Sequence, residues 1–224
     1  MALARGVQFT VQYSFELLKE TVEELRKYDS RIGPHADPAF GGISTYEGFW
    51  IAGLDSRGQV ATMNLVRFFD WPDTDLFTAL TTGRFFERDP ARPTGAKCHG
   101  PSGSITTKMF GRFAHPGGIW VHPDRRGERE DAIRLTRILS RLSRTIAVLH
   151  GDIDHTFSFV EVPRVAQGKP GDYGYSRTEP GWVLHYKGQQ PVDFYLVTTS
   201  RAEIYQDAQD VTRGELKQPG RNQP

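Results

Sequence analysis

The 224-residue chain has a single cysteine, Cys98, three methionines and almost no net charge, +1 from 28 basic and 27 acidic residues. Each shortage excludes something. A lone cysteine permits no intrachain disulfide and no zinc site built on several thiolates, and no metal site is expected. A balanced charge sets up no field to recruit nucleic acid or an acidic membrane surface, so neither is expected as a partner. No run of about 18 apolar residues is present to span a bilayer. The opening Met1-Ala2-Leu3-Ala4-Arg5-Gly6 also lacks the apolar core of a signal peptide. A cytoplasmic location is the resulting expectation. What the chain does have, 38% hydrophobic and 25% charged residues, describes a globular protein with a substantial core. Its length fits one large domain or a domain with an insertion, and no internal repeat is visible.

Residues 7–13 alternate apolar and polar positions (Val7, Phe9, Val11, Tyr13), the mark of a half-buried strand. Ser14 stands where an N-cap belongs, and Phe15, Leu18, Val22 and Leu25 recur at helical spacing. An amphipathic helix over 15–28 is predicted, with Glu16, Lys19, Glu20, Glu23, Glu24 and Lys27 on a solvated face. Residues 33–42, with Pro34, Pro38 and two adjacent glycines, are loop. Residues 49–54 and 59–69 are strand-like runs around Asp55-Ser56-Arg57-Gly58, an antiparallel hairpin whose second strand is ended by Pro72. Residues 73–103 read as a loop-rich insertion with a short helix over 75–82. Within it, 84–103 is a long surface loop that leaves the Cys98 thiol exposed. Residues 104–113 are a further strand. Residues 155–162 are another, with Phe157, Phe159 and Glu161 on one face. Residues 163–174 are too rich in Gly and Pro for a long helix, and 182–186 with 192–198 form a final hairpin. The folded domain is expected over 1–207, followed by a polar, disordered tail over 208–224.

Between these lies Gly117-Gly118-Ile119-Trp120-Val121-His122-Pro123-Asp124-Arg125-Arg126-Gly127-Glu128-Arg129. Gly117-Gly118 marks a bulge or a close backbone approach in an apolar strand. An arginine-bearing turn and a helix over 128–149 follow. Leu135, Leu139, Leu142, Ile146 and Leu149 form the buried stripe of that helix. Arg134, Arg137, Arg141 and Arg144 form a second stripe, either a solvated face or, for one or two of them, partners of a ligand phosphate. A helix opening from such a turn aims backbone N–H groups and the positive end of its dipole at one spot, which suits phosphate; an ordinary strand-to-helix connection has the same local pattern.

Val121-His122-Pro123-Asp124-Arg125-Arg126-Gly127, followed by the helix, resembles the GNAT superfamily of N-acetyltransferases. There, a Val-x-Pro-x-x-Arg-Gly type sequence leads into the acetyl-CoA pyrophosphate loop. Tyr173-Gly174-Tyr175, Trp182 and Asp193-Phe194-Tyr195-Leu196-Val197 are similar to the family's ending, a Gly-aromatic pair before the last hairpin. The resemblance covers roughly residues 7–200 in the order of elements. It implies an α+β (α/β/α) fold with a mixed, mostly antiparallel, twisted sheet of six to seven strands, helices on both faces, and a central parallel pair that splays to admit a pantetheine arm. An accidental similarity would instead leave 119–121 normally paired with 155–162.

The resemblance implies acyl transfer from acetyl-CoA or another acyl-CoA to the amine of a small molecule by direct attack on the thioester. Ile119, Trp120, Val121, Arg125, Arg126, Gly127, Glu128, Arg129 and Asp131 are the implied cofactor-binding positions, with a backbone N–H near 120–122 polarising the thioester carbonyl. Arg129 and Asp131 stand where the family has small residues, and Pro170 where it has a tyrosine acid. Tyr173 is the nearest substitute for that acid, Glu161 is a candidate base, and His122 and His155 are alternatives. The insertion would shape the acceptor pocket, and the exposed final hairpin is where a homodimer would form. The alternative is a GNAT-fold protein that binds a ligand or partner without transferring an acyl group.

Overall fold

Alternating Val7, Phe9 and Val11 bring the chain in as an edge strand, β1 (Gln8–Gln12), paired antiparallel with β2 (Gly48–Leu54). A computed structural model describes residues 6–28, 30, 33–38, 43–87, 89, 91, 93–126, 129–186, 188 and 190–213. Ser14 caps α1 (Phe15–Glu24), its hydroxyl accepting from the Leu17 amide, and Phe15, Leu18 and Val22 are the buried face of that helix. The turn between β2 and β3 (Val60–Trp71) is closed by the Asp55 carboxylate, which accepts from the amides of Arg57 and Gln59 at 2.9 Å each. Asp75 caps α2 (Leu76–Thr81) in the same way.

The remaining elements are β4 (Lys97–His99), β5 (Gly111–Val121), α3 (Arg129–Gly151), β6 (His155–Glu161), α4 (Val162–Ala166), α5 (Lys169–Asp172), β7 (Arg177–His185), β8 (Val192–Ser200) and α6 (Arg201–Arg213). They build one sheet in the order β1-β2-β3-β5-β6-β8-β7-β4. Every neighbouring pair is antiparallel except β5 with β6, which is parallel. One face packs α1 and α2 on Trp50, Met63, Leu65, Trp71, Phe113, Phe157 and their neighbours. The other packs α3 and α6 on Ile51, Val66, Ala114 and Ile153. The mixed, mostly antiparallel sheet with helices on both faces is the fold the resemblance implies. Among the described residues no helix is long and apolar enough to cross a membrane.

Four differences from the sequence reading have physical causes. The sheet has eight strands rather than six to seven, because part of the insertion forms β4 and pairs with β7, Cys98 opposite Leu184. Cys98 is therefore fully buried between Ala96, Trp182 and Leu184, not exposed, and burial pushes its thiol up to about 12. Residues 104–110 are not strand: Ser104 starts a 3-10 turn, Ile105–Lys108, and both its hydroxyl and the Ile105 amide bond the Glu179 carboxylate of β7. Residues 208–213, read as the start of the tail, continue α6, which opens on a reciprocal cap. Glu203 accepts from the Ser200 amide at 2.8 Å, and the Glu203 amide reaches the Ser200 hydroxyl at 3.4 Å.

Candidate active site

The parallel pair β5–β6 is joined only at its start, Phe113 opposite His155 and Ala114 opposite Thr156. Beyond that point the strands part. On the β3 side, Met63 faces Trp120 while Leu65 faces Gly117, so two steps on β3 answer three on β5. The extra residue is a bulge, and Gly118 takes it up with φ 62°, a left-handed conformation that side chains disfavour. Pro116, just before the glycines, offers no N–H to either neighbour. The bulge turns the end of β5 away from β6 and opens a cleft of about 540 Å³ between Ile119–Val121 on one side and Ser158–Glu161 on the other.

His115 fills the apex of the fork. Its ring is buried and its Nδ1 donates to the Phe157 carbonyl at 3.0 Å, replacing a rung the parted backbones no longer make. Burial pulls its pKa down to about 3, and the Arg67 charge acts in the same direction, so the ring is neutral with its proton on Nδ1.

A mostly antiparallel sheet carrying one parallel pair, parted past a bulge and opened into a cleft, is the feature the resemblance implied and an ordinary sheet excludes. The fold is GNAT-like. No protein-family model and no curated protein matches the chain. Among solved structures it is similar to a phosphinothricin acetyltransferase from Sinorhizobium meliloti in complex with AcCoA: 11% identity, 87% of this chain, 88% of that one, TM-score 0.45. It is also similar to a spermidine N-acetyltransferase variant from Vibrio cholerae: 10% identity, 88% and 96% covered, TM-score 0.47. A third is an aminoglycoside acetyltransferase in complex with coenzyme A and kanamycin: 8% identity, 90% and 99% covered, TM-score 0.46.

Within this GNAT-like fold Ile119, Trp120, Val121, Arg126, Glu161 and Tyr173 all come to the cleft. The Arg126 Nε donates to the Val121 carbonyl at 2.7 Å, which folds the side chain back over the end of β5. Arg125 turns toward the Asp55 carboxylate, 3.9 Å away. Gly127 and Glu128 lie outside the described residues. Arg129 and Asp131 fall in the first turn of α3, where the backbone alone is described. His122 is not part of the cleft lining. Its ring accepts from the Asp124 amide and meets Tyr28 edge-on at 4.5 Å, so it caps the 3-10 turn Pro123–Arg125. Glu161 lies 3.9 Å from Arg164 with its side chain largely in solvent. Among the described residues no group of three His, Cys, Asp or Glu side chains gathers closely enough to hold a metal ion.

Of the arginine stripe of α3, the Arg134 side chain lies outside the described residues, and Arg137, Arg141 and Arg144 are engaged with the chain itself. Arg137 pairs with Asp172 at 2.5 Å, and Arg141 donates to the Asp207 carboxylate at 2.9 Å and to the Asp172 carbonyl at 2.7 Å. Arg144, 1% exposed, donates to the Gly174 carbonyl at 2.6 Å and to the Tyr173 carbonyl, and its guanidinium lies over the Tyr175 ring at 4.9 Å. Arg141 and Arg144 grip the carbonyls at the C-terminal end of α5, where a helix end presents partial negative charge, and Arg137 holds the Asp172 side chain beside them. The grip holds Tyr173 and Tyr175 against the cleft.

Tyr175 escaped the sequence reading of the site, as did Ser158, whose hydroxyl bonds it. Both follow from the pattern: Ser158 lies on the opposite face of β6 from Phe157 and Phe159, and Tyr175 is the aromatic of the Gly-aromatic pair. Burial raises the pKa of Tyr173 and of Tyr175, with Arg164 opposing in the first case and Arg144 in the second, so both phenols are protonated at neutral pH. His35 and His115, neutral and buried side by side, were also missed. Nothing in their spacing, 80 residues apart, joins them.

Proposed function

We propose that the protein is an acyl-CoA-dependent N-acyltransferase, transferring an acetyl or similar group to the amine of a small molecule. The observation that carries this reading is the parting of β5 and β6 into a cleft between Ile119–Val121 and Ser158–Glu161. A slot between two parallel strands lets the extended arm of an acyl-CoA lie beside β5 and take up its free backbone donors. The α3 N-terminus would receive the pyrophosphate, with Arg126 at the cleft end of the turn. An amide near 120–122 would bond the carbonyl oxygen as it takes on charge.

In the reaction the amine nitrogen attacks the thioester carbon, the C–N bond forms, and the C–S bond breaks with its electron pair going to the CoA sulfur. The nitrogen loses one proton, and the sulfur gains one. Tyr173, protonated and facing the cleft, fits the acid that supplies the thiolate. Glu161, at the cleft mouth, fits the base or the holder of a water that removes the nitrogen's proton.

The test is thermal unfolding with and without acetyl-CoA and CoA, followed by thiol release over a panel of amines. At 100 times its Kd, a ligand of the native state adds about 2.7 kcal/mol, which for a chain of this size raises Tm by roughly 5–11 °C. Absence of a shift at millimolar acetyl-CoA sinks the reading. Pro170 at the usual tyrosine position supports a second reading, a GNAT-fold protein that binds its ligand without acyl transfer; a shift without turnover of any amine would favour it.

A further inference from the structure

His115 is the polar centre of an aromatic nest on the α1–α2 face of the sheet. Its ring centroid lies 4.7 Å from that of His35, 4.9 Å from Phe85 and 5.0 Å from Phe157. With Nδ1 committed to the Phe157 carbonyl, Nε2 carries the lone pair. That nitrogen faces Gly117: a Cβ added there would stand 2.9 Å from it, and Gly117 and Phe159 both line the cleft. Next to it, His35 is 9% exposed and stacks on Phe85 at 5.1 Å, and neither of its ring nitrogens meets a partner among the described residues. Buried polar atoms left without partners are costly, and a hydrogen-bonding ligand relieves that cost.

The charges around this nest are unsuited to an ammonium ion. Burial holds both imidazoles neutral, and the buried Arg67 guanidinium, set over the Phe69 ring at 4.9 Å, adds a positive charge beside them. The Glu47 carboxylate lies 3.9 Å from that guanidinium. Glu161, the carboxylate among the described cleft-lining residues, is at the outer mouth, 60% exposed and beside Arg164. A protonated alkylamine would leave water for uncharged nitrogens, aromatic rings and a guanidinium. An amine uncharged at neutral pH, with a flat ring to lie against Phe159 and Phe194, meets a matching surface.

We propose, on the reading that the cleft holds an acyl-CoA, that the acceptor is an aromatic amine seated with its nitrogen at the Gly117 edge of the cleft and one N–H donated to His115 Nε2. The acyl group then arrives from the α3 face and the amine from the α1–α2 face. The nitrogen lone pair attacks the thioester carbon, the C–N bond forms, and the C–S bond breaks with its electron pair left on sulfur. The nitrogen becomes acidic as its lone pair is used and its proton passes to Nε2 in place of Glu161; Tyr173 protonates the departing thiolate, and the imidazolium returns its proton to the tyrosinate through solvent. A weakly basic imidazole releases that proton readily and is ready for the next turnover.

The experiment uses the full chain, aniline and benzylamine as probes, acetyl-CoA as donor, and the His115→Asn variant. The asparagine keeps a donor near the Nδ1 position for the Phe157 carbonyl and removes Nε2. With acetyl-CoA, kcat/KM for aniline should exceed that for benzylamine by about tenfold or more at neutral pH, and H115N should lose about tenfold on aniline while keeping the thermal shift with acetyl-CoA. Aniline alone should move the His115 Nε2 resonance in nitrogen NMR of the unsubstituted protein, a readout that stands even where H115N does not fold. Preference for benzylamine, full aniline activity in H115N, or an unmoved resonance would each overturn the proposal. A moved resonance without any acetyl-CoA binding would keep the aromatic-amine site and discard the acyl-CoA reading beneath it.

Discussion

Arg144→Met is the substitution that tests the arginine grip most directly. Methionine keeps the length of the stem and much of its volume but has no donors. The Tyr173 carbonyl would keep the Ser140 hydroxyl at 3.1 Å, and Asp207 would keep Arg141. The Gly174 carbonyl would lose its 2.6 Å partner, and the Tyr175 ring its stacked cation. One unsatisfied buried carbonyl costs about 1–3 kcal/mol, and the weakened second one adds about 1 kcal/mol, so the loss is about 2–4 kcal/mol. For a chain of this length that lowers Tm by roughly 4–16 °C, readable by circular dichroism or scanning calorimetry. Arg137→Met is the internal comparison. Its side chain is 38% exposed, and a pair so open to solvent is worth about 0–1 kcal/mol. An Arg144→Met protein melting within about 2 °C of the unsubstituted one, or no more affected than the variant at 137, would refute the argument that buried carbonyl capping holds the tyrosine turn.

Three further outcomes follow from the same geometry. His35 and His115 are neutral when folded, chiefly by burial, whereas an unfolded histidine takes up a proton near pH 6.5. Below that pH the unfolded chain binds protons the folded one refuses. The stability from these residues is fully present above about 6.5 and is lost as pH falls, for His115 down to about 3, at about 1.4 kcal/mol per pH unit for each. Urea midpoints that stay flat between pH 6.5 and 5 would contradict it. Gly118→Ala forces a side chain into φ 62° and sets its Cβ 3.2 Å from Leu65, for a cost of about 1–2 kcal/mol by denaturant titration; a neutral result would show that the bulge does not depend on glycine. Cys98, fully buried with its thiol pushed up to about 12, should resist an aromatic disulfide reagent in the native protein and react at once in urea. Prompt native reaction would mean that the insertion does not cover it.

What could be read from the sequence was whatever the chain writes locally. Ser14 before an apolar stripe, Asp55 to Gly58 between two β-rich runs, and Gly117-Gly118 inside an apolar strand each fix a backbone conformation through neighbours a few residues away, and each appears as read. The failures are of two kinds. Ser200-x-x-Glu203 is a capping box that announces α6, but the helix buries only Ile204 fully, so its hydrophobic stripe is too thin to be seen. Cys98 and the arginines of α3 depend on partners far along the chain. Leu184 makes Cys98 a strand residue, and Asp172, Asp207 and the carbonyls of 172–174 make Arg137, Arg141 and Arg144 structural. The site divides along the same line. Ile119 to Val121 was legible from the bulge and turn, whereas the pairing of His115 with His35 exists only once the sheet has brought the loop before β2 over β5.

The short strand β4 has a consequence for how copies of the protein behave toward one another. Along 183–185 it occupies the outer rim of β7, and the rim it leaves in turn is only three residues long. Two features blunt the rest of β7: the register shift between Glu179 and Trp182 and the proline at 180. A strand so interrupted is a poor template for another chain's backbone. Any dimer made by the final hairpin must therefore meet through side-chain faces rather than by continuing the sheet. The insertion that looks like a loose loop thus acts as a guard on an otherwise sticky margin. A chain shortened across 84–103 would bare the β7 rim together with Trp182 and Leu184, and would be lost first to aggregation rather than to unfolding.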